Sequence, residues 1–503
     1  MMEEMKKIWI QTNNLLKHRG SFFEKWEKDN RYLLKPFCGM LALLAFSQLT
    51  VILANFNYID DLGRVVYGYR GWENFSRFTS AFLSKYIHTG THLINISPLP
   101  QVIAWIFLAT ACTIVLKTFV DREHLRVWHW LAVLPLGLNP YMQECLSYKF
   151  DSPYMALSVL ASVAPLLFVK ADRKVYGLAI ILGSLIMCTT YQAASGIFPM
   201  MVVFVLYTKW LRKEDFRFWN FLLTSMVSYI IGLLLFKFLV MKPTYEGYVT
   251  YEMFSIKEMI PGYLKNLLTY YQRVRIDFRH LWKAWGFVIV LLFFFRGCLD
   301  SKQNKAITLL GTGLVLGLSG LLTFGFYSCL VHPLVSPRAM YGLGALIALI
   351  GVNSIGQKVK YLSRLATFAL TWCFLTLSLS FGNALADQKA YTQLRTGVLL
   401  ADLQRLELSD PSHVKKVQMV NGIGLAPTLR SLPAEDEILR RLVPRTLGGG
   451  WAWSQYMFYH YTSVKGLTWT NDDLSDLDLP LIEDNMYETI YGDENYLRIE
   501  FKE

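Results

Sequence analysis

The stretch that decides the fold is Pro98–Leu116, PLPQVIAWIFLATACTIVL, followed at once by Lys117–Arg126, KTFVDREHLR. A helix needs about 20 consecutive apolar residues to cross the hydrocarbon core of a bilayer, and the first segment carries no charge over that length. The second is short and holds Lys117, Arg122 and Arg126. An uncharged run closed by a compact basic connector reads as a membrane span ending on the cytoplasmic side, where Lys and Arg accumulate.

The same alternation continues in both directions. Apolar runs fall near residues 37–56, 98–116, 127–140, 153–169, 175–191, 193–208, 218–240, 284–296, 306–330, 339–356 and 365–381. They predict an α-helical polytopic membrane protein with about 11 transmembrane helices. Five short connectors, 117–126, 170–174, 209–217, 296–305 and 357–364, hold 16 Lys and Arg in 42 positions, whereas the long loops facing the other way hold 13. With the N-terminus cytoplasmic, an odd number of spans puts the C-terminal part outside.

Composition agrees. Of 503 residues, 53% are hydrophobic and 17% charged, against about 25% charged in soluble domains, and mean hydropathy is +0.30. A soluble cytoplasmic enzyme is excluded. The net charge of +12 is no nucleic-acid footprint. From Asp387 onward the chain has 12 Lys and Arg against 18 Asp and Glu, and the preceding part has 38 against 20, with the excess placed in the short connectors. The seven cysteines form no CxxC pair and no metal-binding spacing, and those inside apolar runs read as small buried hydrophobes.

Three regions follow. Residues 1–36 are a basic, amphipathic cytoplasmic segment with no apolar run ahead of Pro36, so no cleavable signal is expected. Residues 37–381 are the transmembrane domain, with outward loops at 57–97 and 241–283. In the first loop Trp72, Phe75, Phe78, Phe82 and Tyr86 recur at helical spacing, which predicts a helix lying flat in the interface. Residues 382–503 form a small extracytoplasmic α/β domain. It has a helical stretch at 384–408, a strand in VKKVQMVNG, and a hairpin in MYETIYGDENYLRIEF around a Gly-Asp-Glu-Asn turn.

Four outward turns carry the chemistry. The first, Asn55–Arg64, reads NFNYIDDLGR. Asp60 and Asp61 leave the first span side by side, and carboxylates at a membrane exit are costly without a purpose. One could act as general base toward a hydroxyl while its neighbour orients the acceptor or a divalent cation. A purely structural role would make the pair an exposed helix cap with Arg64 as surface partner. Asp60, nearer the membrane, is the preferred base. The second, NPYMQECLSYKFDSP from Asn139, brings Glu144, Tyr148, Lys149 and Asp151 to the surface. Lys149 could meet a phosphate and Asp151 a sugar hydroxyl, or the two could form a plain ion pair. The third, TTYQAASG from Thr189, offers Tyr191 and Gln192 to a ligand or as helix caps. The fourth, CLVHPLVSPR, sets His332 and Arg338 in an otherwise apolar turn, where Arg338 suits a phosphate or snorkels to the interface.

No P-loop, HExxH or strand-linked GxGxxG is present, and Gly448–Gly450 before Trp451 and Trp453 is a flexible turn. Any reaction therefore uses a donor activated elsewhere. The Asp-Asp-Leu-Gly-Arg exit, the Asn-Pro…Leu-Ser-Tyr-Lys-Phe-Asp turn and the Tyr-Gln-Ala turn, in this order and on one side, resemble the Gtr-type bacterial O-antigen glucosyltransferases over about residues 37–381. The resemblance implies a GT-C architecture in the bacterial inner membrane. It also implies a polyprenyl-phosphate sugar as donor, a cell-surface polysaccharide such as O-antigen as acceptor, and an acidic residue of the first outward loop, Asp60 or Asp61, as base. Basic residues near the membrane would hold the lipid phosphate. The competing readings are a transporter or flippase of lipid-linked saccharides, and a glycan polymerase or ligase.

Overall fold

Long uncharged runs leave the backbone no partner in lipid but itself, so they fold as helices. In the computed structural model, which describes residues 28–242, 252–356, 359–449 and 452–503, seven helices are long and apolar enough to cross a membrane. They are Leu99–Phe119, Arg173–Thr190, Gln192–Arg212, Phe218–Val240, His280–Asp300, Lys305–Leu322 and Lys360–Arg405. Val127–Leu136, Ser152–Phe168 and Gly342–Ser354 are apolar but shorter. The first run is a helix interrupted at Gln48, Leu34–Ser47 then Leu49–Ala54. Where the sequence reads about 11 spans, the described residues thus hold seven helices of crossing length and a set of shorter ones beside them. Most of the segment 1–36, and 243–251 of the loop 241–283, lie outside the described residues.

The faces of these helices agree with a lipid solvent. Phe287, Phe295, Leu310 and Leu314 stay exposed on His280–Asp300 and Lys305–Leu322, and apolar surface on that scale marks a membrane-facing side. Inside the bundle, small residues let helices touch. A Cβ on Gly382 would sit 2.3 Å from the Val51 backbone nitrogen, so the last long helix packs directly on the first. Gln48, buried at the break, donates to Gln143 Oε1 at 2.8 Å and to Ser378 Oγ at 2.9 Å. These bonds tie the first helix, the 139–151 turn and the last helix together just below the Asp60 loop.

Only part of the stretch expected to form an interfacial helix is α-helical. Its helix is Phe78–Ile87, and Phe82 and Tyr86 are exposed on it. Trp72, on the preceding turn, is buried because its indole N–H donates to Asp151.

The last helix runs unbroken for 46 residues, Lys360–Arg405. The division expected at residue 381 falls inside it, and the separate helix expected at 384–408 is its continuation. The continuation exists because its far end is the core of the C-terminal domain. Leu399 and Leu403 pack with Val417, Ile490, Leu497 and Ile499, and buried Arg395 donates to the carbonyls of Tyr487 and Lys502. The sheet has β1 (Lys415–Val420), β2 (Leu467–Trp469), β3 (Leu481–Asp484), β4 (Glu488–Gly492) and β5 (Tyr496–Phe501) in the order β2-β1-β5-β4-β3. β1 is parallel to β2 and β5, and β3-β4-β5 are antiparallel. The expected β1 strand and the β4–β5 hairpin are both present.

The domain is pinned to one end of the bundle. Asp277, buried at the end of the amphipathic helix Met259–Asp277, takes Arg441 at 2.6 Å and Arg273 at 2.9 Å. Tyr58, two residues before Asp60, donates its hydroxyl to the Leu442 carbonyl at 2.6 Å.

Candidate active site

The chain leaves the helix ending at Ala54 through Asn55 (φ 46°) and then Ile59 (φ 44°), both left-handed. For the β-branched Ile59 this conformation is strained, and it turns Asp60 and Asp61 in different directions. Asp61 points inward. Its Oδ2 accepts the backbone N–H of Tyr58 at 3.1 Å and of Lys149 at 2.9 Å, while Oδ1 is buried without a partner. It stitches the first loop to the 139–151 turn, and burial pushes its carboxyl up to about 7. A divalent cation shared between Asp60 and Asp61 does not fit this divergence. Among the described residues no three His, Cys, Asp or Glu side chains cluster as metal ligands.

Asp60 faces a cavity of about 590 Å³. Among the described residues no hydrogen bond or ion pair holds its carboxylate. Burial raises its pKa, opposed by Arg64 and Arg338. The expected partner, Arg64, is not a surface residue. It is buried, bound to Asp151, with its guanidinium 4.7 Å from the Trp72 ring centre. Asp151 also accepts the Trp72 N–H. Arg64 thus orients Asp151 and leaves Asp60 open.

The cavity gathers most of what the four turns offered. Asp60, Tyr148, Asp151, Tyr191, Gln192 and Arg338 all line it. Arg338 is held in place by Glu144 at 3.2 Å and by the Tyr148 hydroxyl, and its own N–H donates to Glu144 at 2.8 Å. Besides Asp61 and Arg64, two more expected residues lie outside the cavity. Lys149 turns away because the Asn55 and Asn57 side-chain carbonyls take its amine at 2.6 and 2.7 Å. It faces a separate polar pocket with Lys389 and His460. His332 is exposed and does not line the cavity.

Arg77 went unrecognised in the sequence, where it reads as one cation in an aromatic stripe. It lines the cavity 4.6 Å from the Tyr191 ring centre and 5.2 Å from that of Phe75. Its buried Nε has no partner, and among the described residues no carboxylate pairs with it. Its setting between Phe75 and Phe78 was the only available signal. The cavity lining also includes the apolar residues Leu233, Leu234, Phe236, Met253, Leu330 and Leu334, together with Lys237.

Residues 49–349 match the family described as Glucosyl transferase GtrII. The chain belongs to the GtrII glucosyl transferase family. The matched region holds every residue named in the cavity, from Asp60 and Arg77 to Arg338, and stops short of the C-terminal domain. This GtrII protein is also 21% identical, over 86% of its length and 90% of the other chain, to an uncharacterized 55.3 kDa protein in the gtrB 5′ region of Salmonella phage P22. No solved structure matches it.

Proposed function

We propose that this GtrII-family glycosyltransferase moves a hexose, glucose by its family, from a polyprenyl-phosphate donor to a cell-surface glycan such as O-antigen, with inversion and with Asp60 as base. The observation that carries the reading is the unpaired carboxylate of Asp60 in a cavity that also holds the cations Arg77 and Arg338 and a large apolar lining. Such a cavity suits a ligand with a lipid tail, an anionic link and a polar head. The tail would lie along Leu233, Leu234 and Phe236, the phosphate against Arg77 and Arg338, and the sugar beside Asp60 and Asp151. Lys149, turned toward its asparagines, has no part in holding the phosphate.

The chemistry follows from that placement. The acceptor hydroxyl gives its proton to Asp60 while its oxygen attacks the anomeric carbon from the face opposite the phosphate. The bond from that carbon to the phosphate oxygen breaks, and its electron pair leaves with polyprenyl phosphate. Burial, by raising the pKa of Asp60, makes it a better proton acceptor than an ordinary surface carboxylate. Phosphate is a weakly basic leaving group, so cations that meet its developing charge suffice. Arg77 has donors to spare, and Arg338 is pre-aimed by Glu144 and Tyr148.

This end of the bundle would face away from the cytoplasm, across the inner membrane from the basic connectors. A transporter of lipid-linked saccharides is the rival reading, but it would place polar groups along a path through the membrane. Here most of the cavity's polar residues, Asp60, Arg77, Tyr148, Asp151, Tyr191, Gln192 and Arg338, come from the turns that join the helices, and no such path is seen among the described residues. Incubating purified protein with a polyprenyl-phosphate hexose tests the choice. Release or transfer of the sugar supports the enzyme, and movement of the intact donor across a bilayer supports the transporter.

A further inference from the structure

Ile59 and Asp60 are neighbours in sequence but line different cavities. Asp60 faces the site above, whereas Ile59 forms a wall of a second crevice of about 930 Å³ whose other walls come from the C-terminal domain. The left-handed turn at Ile59 (φ 44°) produces this divergence. It is fastened by Tyr58, whose hydroxyl reaches Leu442 and whose N–H reaches Asp61. Strain kept at a β-branched residue persists only where its surroundings enforce it, and it gathers at functional sites.

The crevice lies at the carboxyl ends of the parallel strands β1 and β5, past Val420 and Phe501. The chain turns there, and the segments around Gly422 and Gly448 pair with each other to form the floor of the crevice. In α/β sheets this edge is the usual ligand position. Its lining includes Gly422 and Gly448, Asn421, and one cation, Arg445, while the Gln418 amide is engaged by Asp473 and the Leu474 N–H. Among the described residues Arg445 has no ion pair, and it is exposed. An amide side chain, a cation and the carboxylate of Glu503 supply both donors and acceptors, which match hydroxyl arrays rather than a phosphate or a lipid tail. The volume is near the top of the roughly 300–1,000 Å³ range of small-ligand sites, ample for several sugar rings.

We infer that this crevice binds the acceptor glycan as an uncharged oligosaccharide and delivers its hydroxyl past Ile59 to Asp60. The inference rests on the transferase reading and gives the C-terminal domain its task. Donor and acceptor then approach from the two sides of one turn, and a single residue step separates their sites.

The test is saturation-transfer NMR on the full-length protein in nanodiscs. The probe is the neutral oligosaccharide released by mild acid from the surface polysaccharide of the producing cells. Asn421 adopts a left-handed φ of 58°, so Asn421→Gly removes the amide and keeps the turn. Combined with Arg445→Ala it should weaken binding at least about tenfold, the effect of losing roughly 1.4 kcal/mol. Thermal melting of the variant would establish that it is folded. Asp60→Asn should bind the probe as the wild type does, which separates acceptor binding from catalysis. No saturation transfer in the wild type, or equal transfer in the folded double variant, would overturn the inference. Binding without any reaction of the donor would instead remove the transferase reading and leave the crevice as a saccharide site.

Discussion

The guanidinium of Arg64 is bound to Asp151, 87 residues away, and not to Asp60 in its own turn. Both partners are buried. The pairing fixes two loops against each other and leaves the cavity carboxylate of Asp60 uncompensated by any direct contact among the described residues. Breaking a buried pair by removing one member leaves an isolated charge, at a cost of roughly 3–5 kcal/mol. Arg64→Ala and Asp151→Ala should each lower the melting temperature sharply and reduce the folded yield in membranes. Wild-type melting in either would mean that the pair contributes nothing to the fold.

Asp61 should govern how stability varies with pH. Its folded value, about 7, lies above the ordinary carboxyl value of 3.8, so between these the folded state holds a proton that the unfolded state has lost. Its contribution is therefore greatest at low pH and falls as pH rises from about 4 to 7. Asp61→Asn carries no ionisable group and can still accept the N–H groups of Tyr58 and Lys149. Thermal melting across that range should be flatter in the variant than in the wild type. The same slope in both would assign the pH dependence elsewhere.

The phosphate grip is expected to depend on Arg77 more than the sequence implied. Arg77→Ala should weaken donor use by roughly 2–5 kcal/mol if the contact is desolvated. Arg77→Lys should restore only part, since a point charge cannot reproduce the planar fork over Tyr191. Arg338→Ala should also lose donor use, with added disorder at Glu144. Lys149→Ala should leave the donor KM unchanged. Donor kinetics of the four variants give the order, and an unaltered Arg77→Ala would remove that residue from the site.

Much of this was legible from local pattern. Uncharged runs gave the helices, because lipid leaves them no other structure. The Gly-Asp-Glu-Asn turn gave the β4–β5 hairpin. Asp60, Tyr148, Asp151, Tyr191, Gln192 and Arg338 stand out in four separate turns, and the fold brings them to one cavity. What stayed hidden depended on distant contacts. Asp151 chose Arg64, Asn55 and Asn57 drew Lys149 away, and Leu399 and Leu403 extended a membrane helix into the C-terminal core. Sequence spacing holds no record of such choices.

Orientation has its own check. The C-terminal domain contains no cysteine, and Ser475 is exposed on it. Ser475→Cys should react with a membrane-impermeant thiol reagent in intact spheroplasts, with the label recovered on a C-terminal peptide. Labelling that requires lysis would place this domain, Asp60 and the cavity on the cytoplasmic side.

The central claim is that Asp60 takes the proton from an acceptor hydroxyl. Asp60→Asn keeps the shape and removes the base, so transfer should slow by roughly 10²–10⁴-fold, while Asp61→Asn should cost far less. The most direct measurement is single-turnover transfer of labelled hexose from polyprenyl phosphate to the surface glycan, with wild type, Asp60→Asn and Asp61→Asn in equal folded amounts. A large loss confined to Asp60→Asn is the expected result, and transfer by Asp60→Asn at the wild-type rate would contradict the account.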